Sequence, residues 1–342
     1  MQLRTKTLKL FCLALASVIF LTLKTMLSAA DEVVLKMAII VPEKSIWGQQ
    51  FKESADEIRE KTNGKVNLKI YYGGVQGDEL NVIQKMRIGQ LHGSALMAYG
   101  LSKVCPDSLA FSLPVLFRSS EEAIWVHDKM NDYFQKQARE KGFEILGWTN
   151  QGFTYCFSKD RVVDMASLRN AKPWALEQDD LCKAFFKAAS ISAIPLTIGD
   201  VNTALQSGLI RTVFAPPAGM IVMQWHTRVN YRLDTGLFYS FGAVVITKDH
   251  WDKLSVERQE LIRKIFQKNF KELNAGIEKQ NSDALKVLDE KLEVNKPSEK
   301  ALAEFREVMV KVEEEMTGKD FSAETMKMVK SHLERYRMEN QK

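Results

Sequence analysis

Cysteine is scarce in this chain: four occur among 342 residues, at positions 12, 105, 156 and 182. No two of them have the CxxC or CxxH spacing of a zinc site, so a structural zinc is not expected. Outside the N-terminal segment, the three remaining cysteines can form at most one disulfide. The sequence does not say which pair would form it, and three free, buried thiols are the alternative.

Catalytic signatures are absent too. The chain contains no GxSxG, HExxH, Walker or GxGxxG pattern, and no two of its five histidines lie within five residues of each other. The acidic run at 177–180 favours the start of a helix over a cation site, because acids suit the helix dipole there. We therefore expect no catalytic residue, no metal and no cofactor, and an enzyme is the least favoured class.

The one long apolar run spans residues 10–23, and 14 residues are short for a membrane span. Basic residues precede it, and a small-residue motif ending at Ala30 follows. This pattern predicts a cleavable signal peptide at 1–30 and a periplasmic mature chain, with an uncleaved anchor as the alternative. Residues 31–342 hold 44 Lys and Arg against 43 Asp and Glu, so their charge gives no case for nucleic acid.

The first third of the mature chain alternates strands and helices. Apolar runs at 33–41, 66–72 and 93–100 are typical of buried parallel strands. A helix capped by Ser45 and ended by Gly64, and a second helix at 77–90, lie between them. This β-α-β-α-β order predicts a parallel sheet with right-handed crossovers.

The rest of the chain predicts further strands and then mainly helices. Strands are expected at 142–149, 152–158, 210–217 and 241–247, and helices at 179–190 and 199–208, the latter between an Asp200 cap and a Gly208 stop. Two amphipathic helices follow at 256–274 and 301–316. A long helix near 255–290 could cross from one lobe of the molecule to the other.

Apolar side chains occupy the ends of the predicted strands, where α/β proteins bind ligands. Each one could instead belong to the core, but their common location favours a pocket. The predicted ligand-contacting residues of this kind are Ile40, Trp47, Met97, Tyr99, Trp174, Ile198, Phe214, Ala215, Met220 and Trp225.

An ordered series of segments, at 35–93, 112–123, 199–210 and 246–262, resembles the solute receptors of tripartite ATP-independent periplasmic (TRAP) transporters, the DctP-like family. The resemblance implies an α/β, two-lobed periplasmic binding protein-like fold with a long bracing helix and a helical C-terminus. It implies 31–151 with 243–280 as lobe I, and 152–242 with 281–342 as lobe II. It also implies two membrane permease subunits as partners, driven by an ion gradient.

Most such receptors bind small organic acids, but the residues that hold the acid differ here. The resemblance places Trp174 where relatives usually carry the arginine that pairs with a carboxylate, and Thr154 at a second arginine position. Ala215 replaces an amide-bearing residue. Because a carboxylate buried without a cation costs several kcal/mol, these departures predict a hydrophobic or amphipathic ligand. Arg211 could contact an acidic headgroup of that ligand, or could be a surface residue.

A second function is compatible with the same fold. The chain could be a ligand sensor or a protein-interaction scaffold of the cell envelope, for example one that binds a helical-repeat protein. Neither the identity of the ligand nor the oligomeric state follows from the sequence.

Overall fold

The computed structural model describes residues 32–177 and 179–340, so the predicted signal peptide lies outside the described residues. The strands are β1 (Val33–Ala38), β2 (Val66–Tyr71), β3 (Gly93–Leu96), β4 (Phe143–Ser158), β5 (Trp174–Leu176), β6 (Ile194–Leu196), β7 (Thr212–Ala215), β8 (Tyr231–Thr247) and β9 (Glu293–Asn295).

The helices are α1 (Ile46–Lys61), α2 (Glu79–Arg87), α3 (Ala98–Ser102), α4 (Ser120–Glu140), α5 (Met165–Asn170), α6 (Asp180–Ala188), α7 (Val201–Ser207), α8 (Pro217–Val222), α9 (Lys248–Trp251), α10 (Val256–Asp289), α11 (Glu299–Met316) and α12 (Ala323–Glu339). Short 3₁₀ helices cover Pro106–Ser112, Ile198–Asp200 and Trp225–Arg228. In the part of the chain that the structure describes, no helix has the length and apolar character needed to cross a bilayer.

One mixed sheet runs through the molecule in the order β2-β1-β3-β8-β4-β7, with β9 beside β8. β1 pairs in parallel with β2 and β3, as the β-α-β-α-β order of the first segments predicts. β8 is antiparallel to β3 and β4, and β7 is antiparallel to β4. A separate parallel pair joins β5 and β6. The mixed α/β class and the helical C-terminus agree with the prediction.

β4 and β8 are much longer than the sequence pattern indicates. The segments predicted as two strands, 142–149 and 152–158, form the single 16-residue β4. The segment at 241–247 is only the end of the 17-residue β8. β4 absorbs the polar stretch between its halves as a bulge between Asn150 and Gly152, where Gly152 has a φ of 85° that favours glycine. Both strands therefore continue from the first lobe into the second.

Two predicted boundaries, the end of one strand and the cap of one helix, differ from the structure, and local hydrogen bonds explain the difference. The strand predicted to reach residue 100 ends at Leu96. The Glu79 carboxylate accepts the backbone N–H groups of Met97 (2.5 Å) and Gly100 (3.0 Å), which stabilises the start of α3 there. Asp200 does not cap α7 as predicted, because its backbone is helical and its carboxylate accepts the Thr197 hydroxyl (2.6 Å).

The predicted long helix is α10, which has 34 residues and is capped by Ser255. Its buried face, which includes Phe266 and Phe270, packs in one core cluster with residues of α1 and β4. Nearer its C-terminus it contacts α8 in the second lobe. α10 therefore braces both lobes.

The C-terminal helices are divided between the lobes, which differs from the prediction that 281–342 belong to lobe II. α11 packs on α6, but α12 packs on α4 and on the 3₁₀ helix Pro106–Ser112 of the first lobe. The buried Asp107 carboxylate holds this arrangement. It accepts the Ser322 N–H (2.6 Å), the Ser322 hydroxyl (3.0 Å) and the Tyr133 hydroxyl.

Candidate ligand-binding cleft

A cavity of about 170 Å³ lies between the lobes, against one face of β4 and β8. α3 and the 3₁₀ helix Pro106–Ser112 line it from the first lobe, and β5, β7 and α6 line it from the second. Its lining residues are Ala98, Tyr99, Leu109, Ser112, Thr154, Trp174, Leu176, Asp179, Leu181, Cys182, Phe214, Phe238 and Ser240.

The alternation of side chains along the sheet decides which residues face the cavity. Thr154 on β4 is opposite Phe238 on β8, and both line the cavity together with Ser240. Phe153 and Tyr239 are the next pair, and they point to the other face of the sheet. Their rings pack edge to face with centroids 4.9 Å apart. This arrangement follows from the two-residue period of a strand.

Trp174 is buried, with 7% of its surface exposed, and begins β5. Its indole N–H donates to the Leu196 carbonyl (3.0 Å). Its ring packs against the Trp225 ring in a T-shaped contact with centroids 5.6 Å apart. Because the indole donor is already engaged, Trp174 presents an apolar surface to the cavity.

Two further aromatic rings extend this wall. Phe214 on β7 and Phe238 on β8 lie 6.3 Å apart between ring centroids. Behind them, Phe186 packs on Phe214 at 5.8 Å and Phe185 packs on Phe238 at 5.2 Å, both edge-on. The helix α6 therefore fixes the positions of both rings from the rear.

The polar groups in the lining are uncharged hydroxyls and a thiol, apart from one acid. The Asp179 carboxylate caps α6 by accepting the N–H groups of Leu181 (2.9 Å) and Cys182 (3.1 Å). Burial raises the pKa of Asp179, and burial together with the Asp179 charge raises the pKa of the Cys182 thiol well above its ordinary value. Lys, Arg and His are absent from the described lining residues.

An ion pair between the lobes lies beside the cavity, in a neighbouring recess. Lys103 of the first lobe reaches Asp180 of α6 in the second lobe at 3.2 Å. The Lys103 ammonium also lies 4.9 Å from the centre of the Tyr99 ring. The cavity and the charged recess that contains this pair share four lining residues: Tyr99, Leu109, Asp179 and Leu181.

Other recesses are larger than this cavity. Two of them, of about 480 and 430 Å³, lie on the opposite face of the sheet, and one of about 520 Å³ is lined by residues of α11 and α12. The first two share Phe153 and Tyr155, and charged side chains such as Arg306 and Glu278 line their other walls. We assign the ligand to the smaller cavity, because it lies at the ends of β5 and β7 and beside α3, which follows β3. Open α/β sheets bind ligands at such strand ends.

The described ranges 32–177 and 179–340 contain no cluster of His, Cys, Asp and Glu that could hold a metal ion. Cys105, Cys156 and Cys182 are all free thiols, which answers the question that the sequence left open.

A family model described as bacterial extracellular solute-binding protein, family 7 (DctP), matches residues 37–320. The chain belongs to this family. Because members are solute-binding proteins, the expectation of a receptor rather than an enzyme is confirmed.

Relatives of this solute-binding protein are similar over most of their length. The C4-dicarboxylate-binding periplasmic protein DctP of Rhodobacter capsulatus is 22% identical over 314 residues, 88% of this chain and 91% of that protein. A TRAP periplasmic solute-binding protein from Ochrobactrum anthropi has a TM-score of 0.81 and 23% identity, covering 90% of this chain and 97% of that one. Another, from Chromohalobacter salexigens with bound D-glucuronate, has a TM-score of 0.76 and 21% identity, covering 88% and 99%.

The cleft of this solute-binding protein brings together four of the residues predicted to contact ligand: Tyr99, Thr154, Trp174 and Phe214. Three others, Ala215, Met220 and Trp225, are buried in the core cluster that contains Trp174 and are outside the cavity lining. Ala215 ends β7, and Met220 and Trp225 follow it closely in sequence, but the three side chains pack behind the wall rather than in it.

The remaining apolar candidates lie elsewhere. Ile40 and Met97 follow β1 and β3 and are half-buried, but neither lines the cavity. Trp47 packs against the core of the first lobe. Ile198, on a short 3₁₀ turn, is 46% exposed.

Arg211 is engaged with a partner outside the cavity. Its Nε and Nη2 atoms donate to the two oxygens of Asp160 at 2.6 and 2.5 Å. This bidentate pair lowers the pKa of Asp160, chiefly through the hydrogen bond from Arg211. The headgroup contact that we considered for Arg211 is therefore replaced by an intramolecular ion pair.

Several lining residues were not predicted. Phe238 and Ser240 come from the part of β8 that the sequence pattern did not identify as a strand. Leu181 and Cys182 lie on α6, whose apolar face suggested packing only. The alternation of residues 237–242 was the available signal for the first pair, and nothing in the sequence distinguished the second from core residues.

Proposed function

We propose that this protein is the periplasmic receptor of a TRAP-type secondary transporter and that it captures an uncharged, predominantly apolar small molecule between its lobes. It then delivers that molecule to the membrane permease subunits. The observation that carries the proposal is the cavity lining, in which aromatic rings lie beside neutral polar groups and one acid, Asp179, and in which the described residues include no cationic side chain.

The energetics favour an apolar ligand over an acid. Burying about 200 Å² of apolar ligand surface contributes about 5 kcal/mol before the cost of association, at about 25 cal/mol per Å². A carboxylate in the same place would lose its hydration without a guanidinium to replace it, at a cost of several kcal/mol. It would also lie near the Asp179 carboxylate, which is a like charge.

Membership of the family supports the transport role. The ligands named for two of the relatives, however, are acids, which differ from the uncharged ligand that we propose here. The Rhodobacter capsulatus relative is named for C4-dicarboxylates, and the Chromohalobacter salexigens structure contains a sugar acid. The side chains that line the cavity here, above all Trp174 and Thr154, supply no positive charge for such acids. Arg211 is paired with Asp160, and Lys103, which lies beside the cavity, is paired with Asp180, so both cations near the cleft already have an acidic partner. We therefore narrow the ligand to uncharged molecules.

A thermal-shift panel tests this proposal. Indole and toluene represent small apolar ligands, and succinate and D-glucuronate represent acids. A probe at ten times its Kd stabilises the folded state by about 1.4 kcal/mol, which raises Tm by roughly 3 °C. We expect this shift with an apolar probe and not with the acids. Stabilisation by either acid, with none by the apolar probes, would overturn the proposed ligand class.

A further inference from the structure

A buried hydrogen-bond donor beside the cleft has no acceptor. The Gln151 Nε2 atom is inaccessible to solvent and makes no hydrogen bond, and the nearby Thr149 Oγ1 atom is in the same state. Folded proteins normally satisfy such groups, because a buried donor without an acceptor is destabilising. Gln151 and Thr149 are outside the cavity lining, so a ligand would have to extend past Ser240 to reach them. An unsatisfied pair in that position indicates groups that such a ligand completes.

The sheet places this amide on the face of β8 that lines the cavity. Phe238, Ser240 and Gly242 share one face by the two-residue period of a strand, and the first two line the cavity. A Cβ atom on Gly242 would lie 2.7 Å from Gln151 Nε2 and 2.7 Å from Thr149 Oγ1. The amide therefore lies above Gly242, about 7 Å along the strand from Ser240.

The bulge in β4 produces this position. Gln151 is the residue that the bulge leaves unpaired, between the Asn150–Phe241 pair and the Gly152–Ser240 pair. An unpaired residue in a bulge re-aims its side chain, which brings an amide to a face that regular alternation would not give it. The absence of a side chain at Gly242 leaves the space that the amide occupies.

We propose that Gln151 is a specificity-determining residue that donates its Nε2–H to an uncharged oxygen acceptor on the ligand. The ligand class is then an apolar, ring-sized molecule that carries a carbonyl, ether or hydroxyl oxygen. Its ring would contact Trp174, Phe214 and Phe238 while its oxygen points toward Gln151. This inference rests on the proposed apolar cleft and names the one polar feature of its ligand.

Two probes of similar size and shape test it, acetophenone and ethylbenzene, which differ in the carbonyl oxygen. Isothermal titration would measure both Kd values on the wild type, on Gln151→Met and on the surface control Gln49→Met. Methionine keeps the length and volume of glutamine but removes the donor. Gln49 lies on the exposed side of α1, away from the cleft.

We expect the wild type and Gln49→Met to bind acetophenone about ten-fold more tightly than ethylbenzene. Gln151→Met should lose that preference by weakening acetophenone binding alone. If Gln151→Met does not fold, Gln151→Asn replaces it, because the shorter amide keeps its chemistry but does not reach the same position. A preference that survives in the Gln151 variant would overturn this inference and leave the apolar cleft intact. Binding of neither probe to the wild type would overturn the proposed ligand class as well.

Discussion

Trp174 is the single side chain on which the apolar character of the cleft depends most. An arginine there would lose the hydrogen bond to Leu196 and the contact with Trp225. It would also bury a charge in a cavity whose one acid, Asp179, already accepts the N–H groups of Leu181 and Cys182. We expect Trp174→Arg to lower the free energy of unfolding by about 3 kcal/mol and to weaken binding of an apolar probe at least ten-fold. Urea unfolding and titration calorimetry measure the two effects.

Two further variants make the Trp174→Arg result specific. Val222 is 78% exposed on α8, so Val222→Arg adds the same charge outside the cleft and should leave binding unchanged. Trp174→Phe keeps an aromatic face and should retain most of the affinity. Unaltered binding by Trp174→Arg would show that Trp174 does not line the ligand site.

Glu79 makes stability depend on pH in a direction unusual for an acid. Burial raises its pKa to about 7, against the lowering effect of the N–H groups of Met97 and Gly100. Because its folded pKa lies above its unfolded value, the folded state binds the extra proton. The stability that this provides is fully present below about pH 4.5 and is lost as pH rises through about 7.

Glu79→Gln should remove this dependence, because glutamine does not titrate. We expect the unfolding free energy of the wild type, relative to Glu79→Gln, to fall by about 2 kcal/mol between pH 5 and pH 8, after discounting for partial exposure. Urea titrations at four pH values would show it. A difference between the two proteins that stays constant with pH would mean that Glu79 titrates at its ordinary value.

At the residue scale, the sequence predicted the chemical character of the cleft better than it predicted which residues line it. Trp174 was predicted from its place at a strand end and from the family resemblance, and Thr154 from the resemblance alone, and both line the cavity. Arg211 was left open between a headgroup contact and a surface residue, because its partner, Asp160, lies 51 residues earlier in the chain. No local pattern reveals that pairing, since β7 and the end of β4 meet only in the folded sheet.

At the scale of elements, two asparagines of α10 hold the place where β4 crosses between the lobes. Asn274 accepts the Asn150 N–H (2.9 Å) and donates to the Trp148 carbonyl (3.1 Å). Asn281 donates to the Gln151 carbonyl (3.1 Å) and accepts the Ala218 N–H (3.2 Å) on α8. These side chains join the bracing helix to the bulge and to the second lobe.

Replacing Asn281 by leucine should loosen that connection. Two backbone groups would lose their partner, so we expect the free energy of unfolding to fall by about 2 kcal/mol. Faster amide hydrogen exchange should appear at Ala218. Asn170→Ala, which removes an exposed amide bonded only within its own helix, is the control and should change neither. Unchanged exchange at Ala218 in Asn281→Leu would contradict the proposed role of this side chain.

The elements themselves show where pattern reasoning fails. Asn150, Gln151 and Gly152 are typical of a turn, which is why the sequence predicted two strands there instead of one. The bulge gives these residues a turn-like conformation inside a continuous strand, stabilised by contacts with α10 that lie more than 120 residues away. The parallel strands β1 to β3 were predictable because their apolar runs carry the information locally.

At the scale of the molecule, the Lys103–Asp180 pair joins the two lobes across the cleft. The Lys103 and Asp180 side chains are 35% and 41% exposed, so solvent screens the pair and it contributes at most about 1 kcal/mol. We expect Lys103→Met to weaken binding of an apolar probe less than about five-fold at low salt, and the difference from wild type to vanish in 0.5 M NaCl. A large loss that persists in high salt would instead make Lys103 part of the ligand site.

The assignment of helices to lobes is the part of the architecture that the sequence could not provide. The amphipathic pattern of α12 predicts a buried face, but both lobes offer an apolar surface to cover it. The Asp107 carboxylate and its bonds to Ser322 select the first lobe. That selection depends on residues more than 200 positions apart, whereas the long α10 was evident from its own periodicity.

The central claim is that the cleft carries an uncharged, mostly apolar molecule in a family whose named relatives here include acid binders. Native mass spectrometry of the protein released gently from cells tests it most directly, followed by identification of the released compound. We predict a bound mass that corresponds to a neutral, carbon-rich molecule with an oxygen acceptor. Recovery of a dicarboxylate or a sugar acid would contradict the claim.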